Sequence, residues 1–143
     1  MSELIKIAVD AMGGDNSPKK VIDGIIHNHK NNKANFFKIF GDKNKIISLI
    51  KDEIDNQYYE IIHTENFVLS TDSPLEAAKK GKDTSMWLSI ESLKKNESDV
   101  IVSAGNTGAL FVLAKLNLEM IDKIDKPALS ALWPNKNLSL IHI

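Results

Sequence analysis

Short apolar segments alternate with helix-forming segments along the chain, and this alternation constrains the fold more than any other feature of the sequence. Predicted strands lie near Leu4–Val9, Phe36–Phe40, Tyr58–His63, Asp99–Ser103 and Lys126–Trp133. Predicted helices lie near Ser17–Lys30 and Asn44–Lys51, over Leu75–Lys95 as one helix or two, and after Gly108 through about Leu118. This pattern predicts an α/β fold, with a mainly parallel sheet covered by helices on both faces and a single domain over residues 1–143.

The turn after the first strand has the residues of an anion-binding loop. Ala11-Met-Gly-Gly-Asp15 follows the strand, and Ser17-Pro18 predicts a helix start with a serine cap and proline at the first helical position. Gly13 and Gly14 tolerate a positive φ and the close approach of a ligand, while a helix N-terminus favours negative charge. A plain strand-to-helix turn is the alternative, and for an isolated Gly-Gly pair it is the more common case.

A second loop of the same kind lies further along the chain. Ser103-Ala-Gly-Asn-Thr-Gly-Ala-Leu110 again passes from an apolar strand through small residues into a predicted helix. Because ligands of parallel α/β sheets bind beyond the carboxyl ends of the strands, we expect both loops to line one pocket. Asn106 and Thr107 would add donors there, with Asp15 opposite, so that an anion and a carbonyl group can bind together. Two ordinary tight turns are the alternative.

The charge balance restricts the partners. Eighteen basic residues against nineteen acidic ones leave a net charge of −1, so the sequence predicts no nucleic-acid partner. All of the basic residues are lysine. An anion site in this chain must therefore use backbone N–H groups and lysine, because the guanidinium fork of arginine is missing.

The chain has no cysteine, which excludes disulfides and thiolate metal sites. His27 and His29 resemble a metal pair, but two residues on a helix separate their rings to nearly opposite sides, so both are expected to face solvent. We therefore predict neither a metal nor an organic cofactor. The start of the chain has no signal-peptide pattern, and no apolar run reaches membrane-spanning length, which predicts a cytoplasmic protein.

Four motifs occur in a fixed order: Ala11-Met-Gly-Gly-Asp15, Asp83-Thr-Ser-Met86, Ser103-Ala-Gly-Asn-Thr-Gly-Ala-Leu110 and Lys126-Pro-Ala-Leu129. In order and spacing they resemble the N-terminal part of the PlsX family of acyl-ACP:phosphate acyltransferases. The similarity runs from about residue 5 to residue 134, and Ser-Ala-Gly-Asn-Thr-Gly is its most specific part. The resemblance implies a Rossmann-like α/β/α sandwich with a mainly parallel sheet, incomplete at the C-terminus of this chain.

The resemblance also implies a function. Members of the PlsX family transfer a long-chain acyl group from acyl-ACP to inorganic phosphate, giving acyl phosphate and free ACP in bacterial phospholipid synthesis. They are described as cytoplasmic homodimers that associate with the membrane surface, and a glycerol-3-phosphate acyltransferase is the expected partner downstream. No cofactor is implied.

The chain departs from the family pattern in three places. Gly81, between Lys80 and Lys82, stands where the family usually has lysine, and Lys126 stands where it favours arginine. Chains of the family are more than twice as long and continue into a strand bearing Leu-Asp-x-Gly-Ala-Asn. Here residues 135–143 form a different tail. We therefore expect 1–143 to be the N-terminal portion of a longer enzyme, with an inactive fragment as the alternative.

Attack of phosphate on a thioester depends on positioning more than on a protein nucleophile, because phosphate is already anionic and a thiol leaves readily. The predicted catalytic residues are Asp15, which orients a donor or accepts a proton, Lys82, which supplies charge, and Asn106. The predicted substrate- and phosphate-binding residues are Gly13, Gly14, Ser103, Gly105, Thr107, Gly108 and His63. For His63, an ordinary histidine at a strand end is the alternative.

A nucleotide-binding dehydrogenase or kinase is the main rival class, among other phosphate-binding α/β enzymes. Neither G-x-G-x-x-G after the first strand nor a Walker G-x-x-x-x-G-K-[ST] sequence occurs. Asp42 is the one acidic residue that follows the second strand in a position to bind a ribose. The sequence therefore favours the acyltransferase over this rival.

Overall fold

Four parallel strands form the main sheet of the computed structural model, which describes residues 4–133 and 139–142. In chain order the elements are β1 (Ile5–Asp10), α1 (Lys19–Asn31), β2 (Asn35–Gly41), α2 (Lys43–Ile50), β3 (Tyr59–His63), α3 (Pro74–Lys79), α4 (Ser85–Lys94), β4 (Val100–Ser103), α5 (Thr107–Asn117), β5 (Ser130–Trp133) and β6 (Ser139–His142). The strand order is β3-β2-β1-β4. The predicted α/β fold with a mainly parallel sheet is confirmed.

Two apolar clusters, one on each face of the sheet, hold the helices. On one face Ile22 of α1 and Ile46 of α2 pack with Val9 and Ile39. On the other face Met86 of α4 and residues of α5 form the second cluster, against which Ile101 of β4 packs. Because each strand presents alternate residues to opposite faces, the two clusters give an α/β/α sandwich.

The register of β1 decides where the functional loops lie. Asp10, the last residue of β1, pairs with Phe40 of β2 and with Ser103, the last residue of β4. Parallel strands that end in register bring their following loops together. The two glycine loops are therefore neighbours at one edge of the sheet.

Helix starts follow local capping, with one exception. The long predicted segment Leu75–Lys95 is two helices, since Thr84 begins α4 by accepting a hydrogen bond from the Trp87 N–H at 3.3 Å. Ser73 and Glu76 form a capping box at α3. The prediction that Ser17 caps α1, however, is wrong. The helix begins at Lys19, and the Ser17 hydroxyl donates instead to the carbonyl of Gly13. The serine therefore stabilises the glycine loop through a hydrogen bond to the backbone of that loop.

The last predicted strand does not enter the main sheet. Ser130–Trp133 pairs antiparallel with Ser139–His142 in a separate two-stranded sheet. This prediction is wrong because the nearest partner in sequence is the segment just beyond, and antiparallel strands need only a short connection. Of the predicted tail 135–143, residues 139–142 form β6, and the others lie outside the described residues.

No helix in the described part of the chain is long and apolar enough to cross a membrane.

Candidate active site

A buried carboxylate that the sequence analysis missed lies where the two glycine loops meet. Asp10 is 1% exposed. Its carboxylate accepts hydrogen bonds from the Ser85 hydroxyl at 2.6 Å and from the Ser103 hydroxyl at 2.8 Å. The backbone N–H groups of Met12 and Gly13 lie near it and favour its charged form. Asp10 therefore joins β1, β4, the start of α4 and the first glycine loop.

The glycines of the first loop are required by contact with the second loop. A Cβ on Gly13 would lie 2.5 Å from Asp10 Oδ2 and 2.9 Å from the Gly105 nitrogen. Gly14 has a φ of +88°, and a Cβ there would lie 2.5 Å from the carbonyl oxygen of Ala104. The absence of a side chain at these glycines thus allows the close approach of the neighbouring loop.

The backbone of each loop also contacts a polar side chain at the end of the strand that precedes it. The Gly105 N–H donates to the Ser103 hydroxyl at 3.2 Å, and the Gly13 N–H lies near the Asp10 carboxylate. The first N–H groups of a helix have no acceptor within that helix. At α5 those groups belong to Thr107 and Gly108, which leaves them available to an anion.

Asn106 caps α5 and also bonds to the loop before α3. Its side-chain oxygen accepts from the Ala109 N–H at 3.0 Å and so begins α5. Its side-chain nitrogen donates to the carbonyls of Ser70 at 3.2 Å and Asp72 at 2.7 Å. Asn106 therefore fixes the loop before α3 against the N-terminus of α5.

The other predicted site residues are spread along the same edge of the sheet. Asp15 is exposed beside the first loop. Lys82 is exposed, with its Nζ 5.8 Å from the centre of the Trp87 ring, a cation–π distance. His63 ends β3, two strand spacings or about 10 Å from β1, and its Nδ1 accepts from the Lys43 N–H at 3.2 Å. The structure thus brings the two loops together but leaves His63 apart from them.

A groove of about 500 Å³ opens beside the first loop, between α1 and the sheet. Its floor is apolar and includes Val9, Phe37 and Val102, and its polar lining includes Asp15 and Ser17. The loop edge is therefore continuous with an apolar surface that is large enough for a small ligand.

The burial of His29 differs from the prediction made from the sequence. It is 5% exposed and its ring lies 4.6 Å from that of Tyr58. The prediction that both histidines face solvent is therefore wrong for His29, because that side of α1 packs against Tyr58, in the 3₁₀ turn Asn56–Tyr58 before β3. Within 4–133 and 139–142, no group of three or more His, Cys, Asp or Glu side chains is arranged to hold a metal.

Burial raises the pKa of Asp10, and the hydrogen bonds from Ser85, Ser103, Met12 and Gly13 oppose that rise without cancelling it. A carboxyl whose pKa is higher in the folded than in the unfolded state stabilises the fold fully below the unfolded pKa. That contribution is lost as the pH rises through the folded pKa.

We expect Asp10→Asn to remove this pH dependence. The free energy of unfolding, measured by urea denaturation from pH 4 to pH 8, should fall in the parent relative to Asp10→Asn as the pH rises. The difference between the two curves isolates Asp10 from surface carboxylates such as Glu97, whose pKa the Lys38 hydrogen bond lowers. A difference that is constant with pH would contradict the raised pKa.

Comparison with known proteins agrees with the motifs. A family model described as "Fatty acid synthesis protein" matches residues 5–143. The chain belongs to this family, the PlsX family. It is 63% identical over 142 residues to a phosphate acyltransferase of Pelagibacter ubique, and the match covers 99% of this chain and 42% of the relative.

Two further members of the PlsX family are similar over nearly the whole chain. A phosphate acyltransferase of Bradyrhizobium sp. is 40% identical, covering 99% of this chain and 40% of its own length. One of Rhodospirillum rubrum is 42% identical, covering 94% of this chain and 39% of its own length. The chain thus spans about two fifths of the curated relatives that it matches.

Asp10 and Ser85 are the site residues that sequence reasoning missed. A signal for Asp10 was present, because an acidic residue ends an apolar strand just before the glycines. Ser85 lies within the Asp83-Thr-Ser-Met86 motif of the PlsX resemblance, but nothing in the local sequence indicated that its hydroxyl contacts Asp10.

Proposed function

We propose that this chain forms the phosphate-binding part of a phosphate acyltransferase that transfers a long-chain acyl group from acyl-ACP to inorganic phosphate. The observation that carries the proposal is the contact of the two glycine loops at the end of β1 and β4, beside the N–H groups that begin α5 and have no acceptor among the described residues. The names of the curated relatives support it.

The reaction needs two things from such a site. A phosphate oxygen attacks the thioester carbonyl carbon, the carbonyl oxygen becomes an oxyanion, and the carbon–sulfur bond then breaks to release the carrier thiolate. Holding phosphate against the carbonyl supplies part of the roughly 7–11 kcal/mol available from proximity. Each preorganised donor at the oxyanion contributes about 3 kcal/mol more.

The proposed roles follow the geometry. The N–H groups of Thr107 and Gly108 bind phosphate or the oxyanion, and Gly14 completes the wall opposite. Lys82 lies on an exposed turn, and its side chain supplies the positive charge by moving from the Trp87 ring toward the phosphate. Asp15 orients a donor or accepts a proton. Asn106 contributes through the loop that it ties to α5. Gly13, Ser103 and Gly105 form the contact that supports these groups.

His63 has a more distant proposed role. Its position at the end of β3 suits contact with a larger part of the substrate better than contact with the phosphate. The partners proposed from the resemblance are acyl-ACP, a second copy in a homodimer, the membrane surface and a glycerol-3-phosphate acyltransferase. A cytoplasmic location is proposed on the same basis.

The hydrogen bonds of Asp42 weigh against the nucleotide-binding alternative. Its carboxylate accepts from the N–H groups of Asn44 at 3.1 Å and Lys45 at 3.3 Å, and so begins α2. An aspartate used as an N-cap is not placed to bind a ribose.

The proposal is tested in a hybrid enzyme, in which this chain replaces the matching segment of the Pelagibacter ubique phosphate acyltransferase. We expect phosphate-dependent release of ACP, a kcat about 100-fold lower in Asn106→Ala, and a KM for phosphate about tenfold higher in Lys82→Ala. Lys94→Ala and Asn44→Ala are the matched controls on exposed sites. Unchanged phosphate-dependent turnover in both test variants would contradict the assignment.

A thermal-shift measurement separates the two classes of ligand. Phosphate and acyl phosphate should raise the melting temperature of the hybrid enzyme. Stabilisation by NAD or ATP alone would favour the nucleotide-binding rival.

A further inference from the structure

Asp10 is the buried carboxylate between the two loops, at 1% exposed, and the reaction described above does not use it. The groups around it come from three separate places: the hydroxyl donors Ser85 on α4 and Ser103 on β4, and the nearby backbone of Met12 and Gly13 after β1. These places are far apart in sequence. One carboxylate therefore fixes three segments of the fold relative to one another.

Asp10 has no ion-pair partner among the salt bridges of the described residues. An ionised carboxylate accepts hydrogen bonds and donates none, so the two hydroxyl donors and the nearby backbone N–H groups suit it well. A fold that needed only stability could place an apolar residue here at lower cost, because burying a charge without a counterion is unfavourable. The carboxylate thus calls for an explanation beyond packing.

The hydrogen bonds form a chain that leads to the second loop. Asp10 Oδ2 accepts from the Ser103 hydroxyl, and the Ser103 hydroxyl in turn accepts from the Gly105 N–H. Gly105 directly precedes Asn106, the cap of α5. The orientation of Ser103 therefore sets the peptide that leads into the first turn of α5.

The same carboxylate also sets the first loop. Gly13 lies so close to it and to Gly105 that a Cβ on Gly13 would be 2.5 Å from Asp10 Oδ2 and 2.9 Å from the Gly105 nitrogen. A displacement of either loop would be transmitted to the other, since no side chain separates them.

We propose that Asp10 is a positioning residue, whose buried carboxylate holds the two glycine loops and the start of α4 in the arrangement that binds phosphate. This inference rests on the phosphate site of the proposed function. Asp10 does not touch phosphate; it acts through Ser103 and Gly105 on the N–H groups that do. A displacement of about 1 Å at such groups lowers turnover about 100-fold.

The experiment uses the hybrid enzyme and reads KM for phosphate and KM for acyl-ACP separately. We expect Asp10→Asn, which keeps the size of the side chain, to raise the KM for phosphate or lower kcat by 10-fold to 100-fold. The KM for acyl-ACP should change less than twofold. Ser85→Ala, which removes one of the two hydroxyl donors, should shift the same parameters in the same direction by a few-fold.

Ser92→Ala is the control for a purely structural effect. Ser92 is buried on α4 and its hydroxyl bonds that of Ser98 at 2.8 Å, away from both loops. The control should lower the melting temperature and leave the KM for phosphate unchanged. An Asp10→Asn enzyme that behaves like this control overturns the positioning role.

A double variant tests the route through Ser103. If Asp10 acts through Ser103, Asp10→Asn combined with Ser103→Ala should lose no more turnover than the more affected single variant. Fully multiplicative losses would overturn this route. An unmutated hybrid enzyme with no phosphate-dependent turnover would instead overturn the proposed function, and the positioning role with it.

Discussion

Gly14→Ala should lower the free energy of unfolding by about 2 to 5 kcal/mol. The φ of +88° at Gly14 is strained for any residue with a side chain, and the new Cβ would lie 2.5 Å from the Ala104 carbonyl oxygen. Because that atom belongs to the backbone of the second loop, the contact can be relieved only by moving the two loops apart. Urea denaturation followed by tryptophan fluorescence measures the loss.

Gly24→Ala is the matched control for this prediction. Gly24 lies within α1, and nothing stands within 4 Å of the position that a Cβ would take. Alanine favours a helix interior over glycine by about 0.5 to 1 kcal/mol, so this variant should be slightly more stable than the parent. A Gly14→Ala protein as stable as Gly24→Ala would mean that the two loops are not in contact.

Most of the fold could be predicted from the sequence because each element is marked by its own residues. The strand predicted near Phe36–Phe40 is Asn35–Gly41, and the helix predicted near Asn44–Lys51 is Lys43–Ile50. An apolar run between polar turns is a local signal, and it survives in the structure because it faces a core cluster. What the sequence does not carry locally is the order of the strands.

Strand order explains why the prediction for His63 could not be refined. The residue lies at the carboxyl end of a strand, as expected, but β3 is at the opposite edge of the main sheet from β4. The loops after β1 and β4 are neighbours only because Asp10 pairs with Ser103. This neighbourhood depends on long-range pairing, so the sequence could predict the two loops but not the distance of each other residue from them.

The hydrogen-bond partners of the site residues also could not be predicted from the sequence. Asn106 is a good donor for a ligand and an equally good cap for a helix, and the residues that it contacts, Ser70 and Asp72, belong to a loop with no regular structure. Polar residues at loop edges satisfy backbone groups first. Its catalytic role, with those of Asp15 and Lys82, stays a prediction.

Met86→Ala should also lower the free energy of unfolding by about 2 to 5 kcal/mol. Met86 is fully buried in the cluster that joins α4 and α5, and its Cε lies 2.9 Å from the position of a Cβ on Gly105. Truncation to alanine therefore leaves a cavity directly beneath the second glycine loop. Urea denaturation of the parent and the variant measures the loss.

The position of Met86 distinguishes this variant from an ordinary core truncation. Met120→Ala removes the same atoms from a side chain that is 37% exposed, and should cost less than about 1 kcal/mol. Because Gly105 rests on Met86 and leads into α5, the cavity should also raise the KM for phosphate in the hybrid enzyme, whereas Met120→Ala should not. A Met86→Ala enzyme that loses stability and keeps its KM for phosphate would show that the second loop keeps its position without support from the core beneath it.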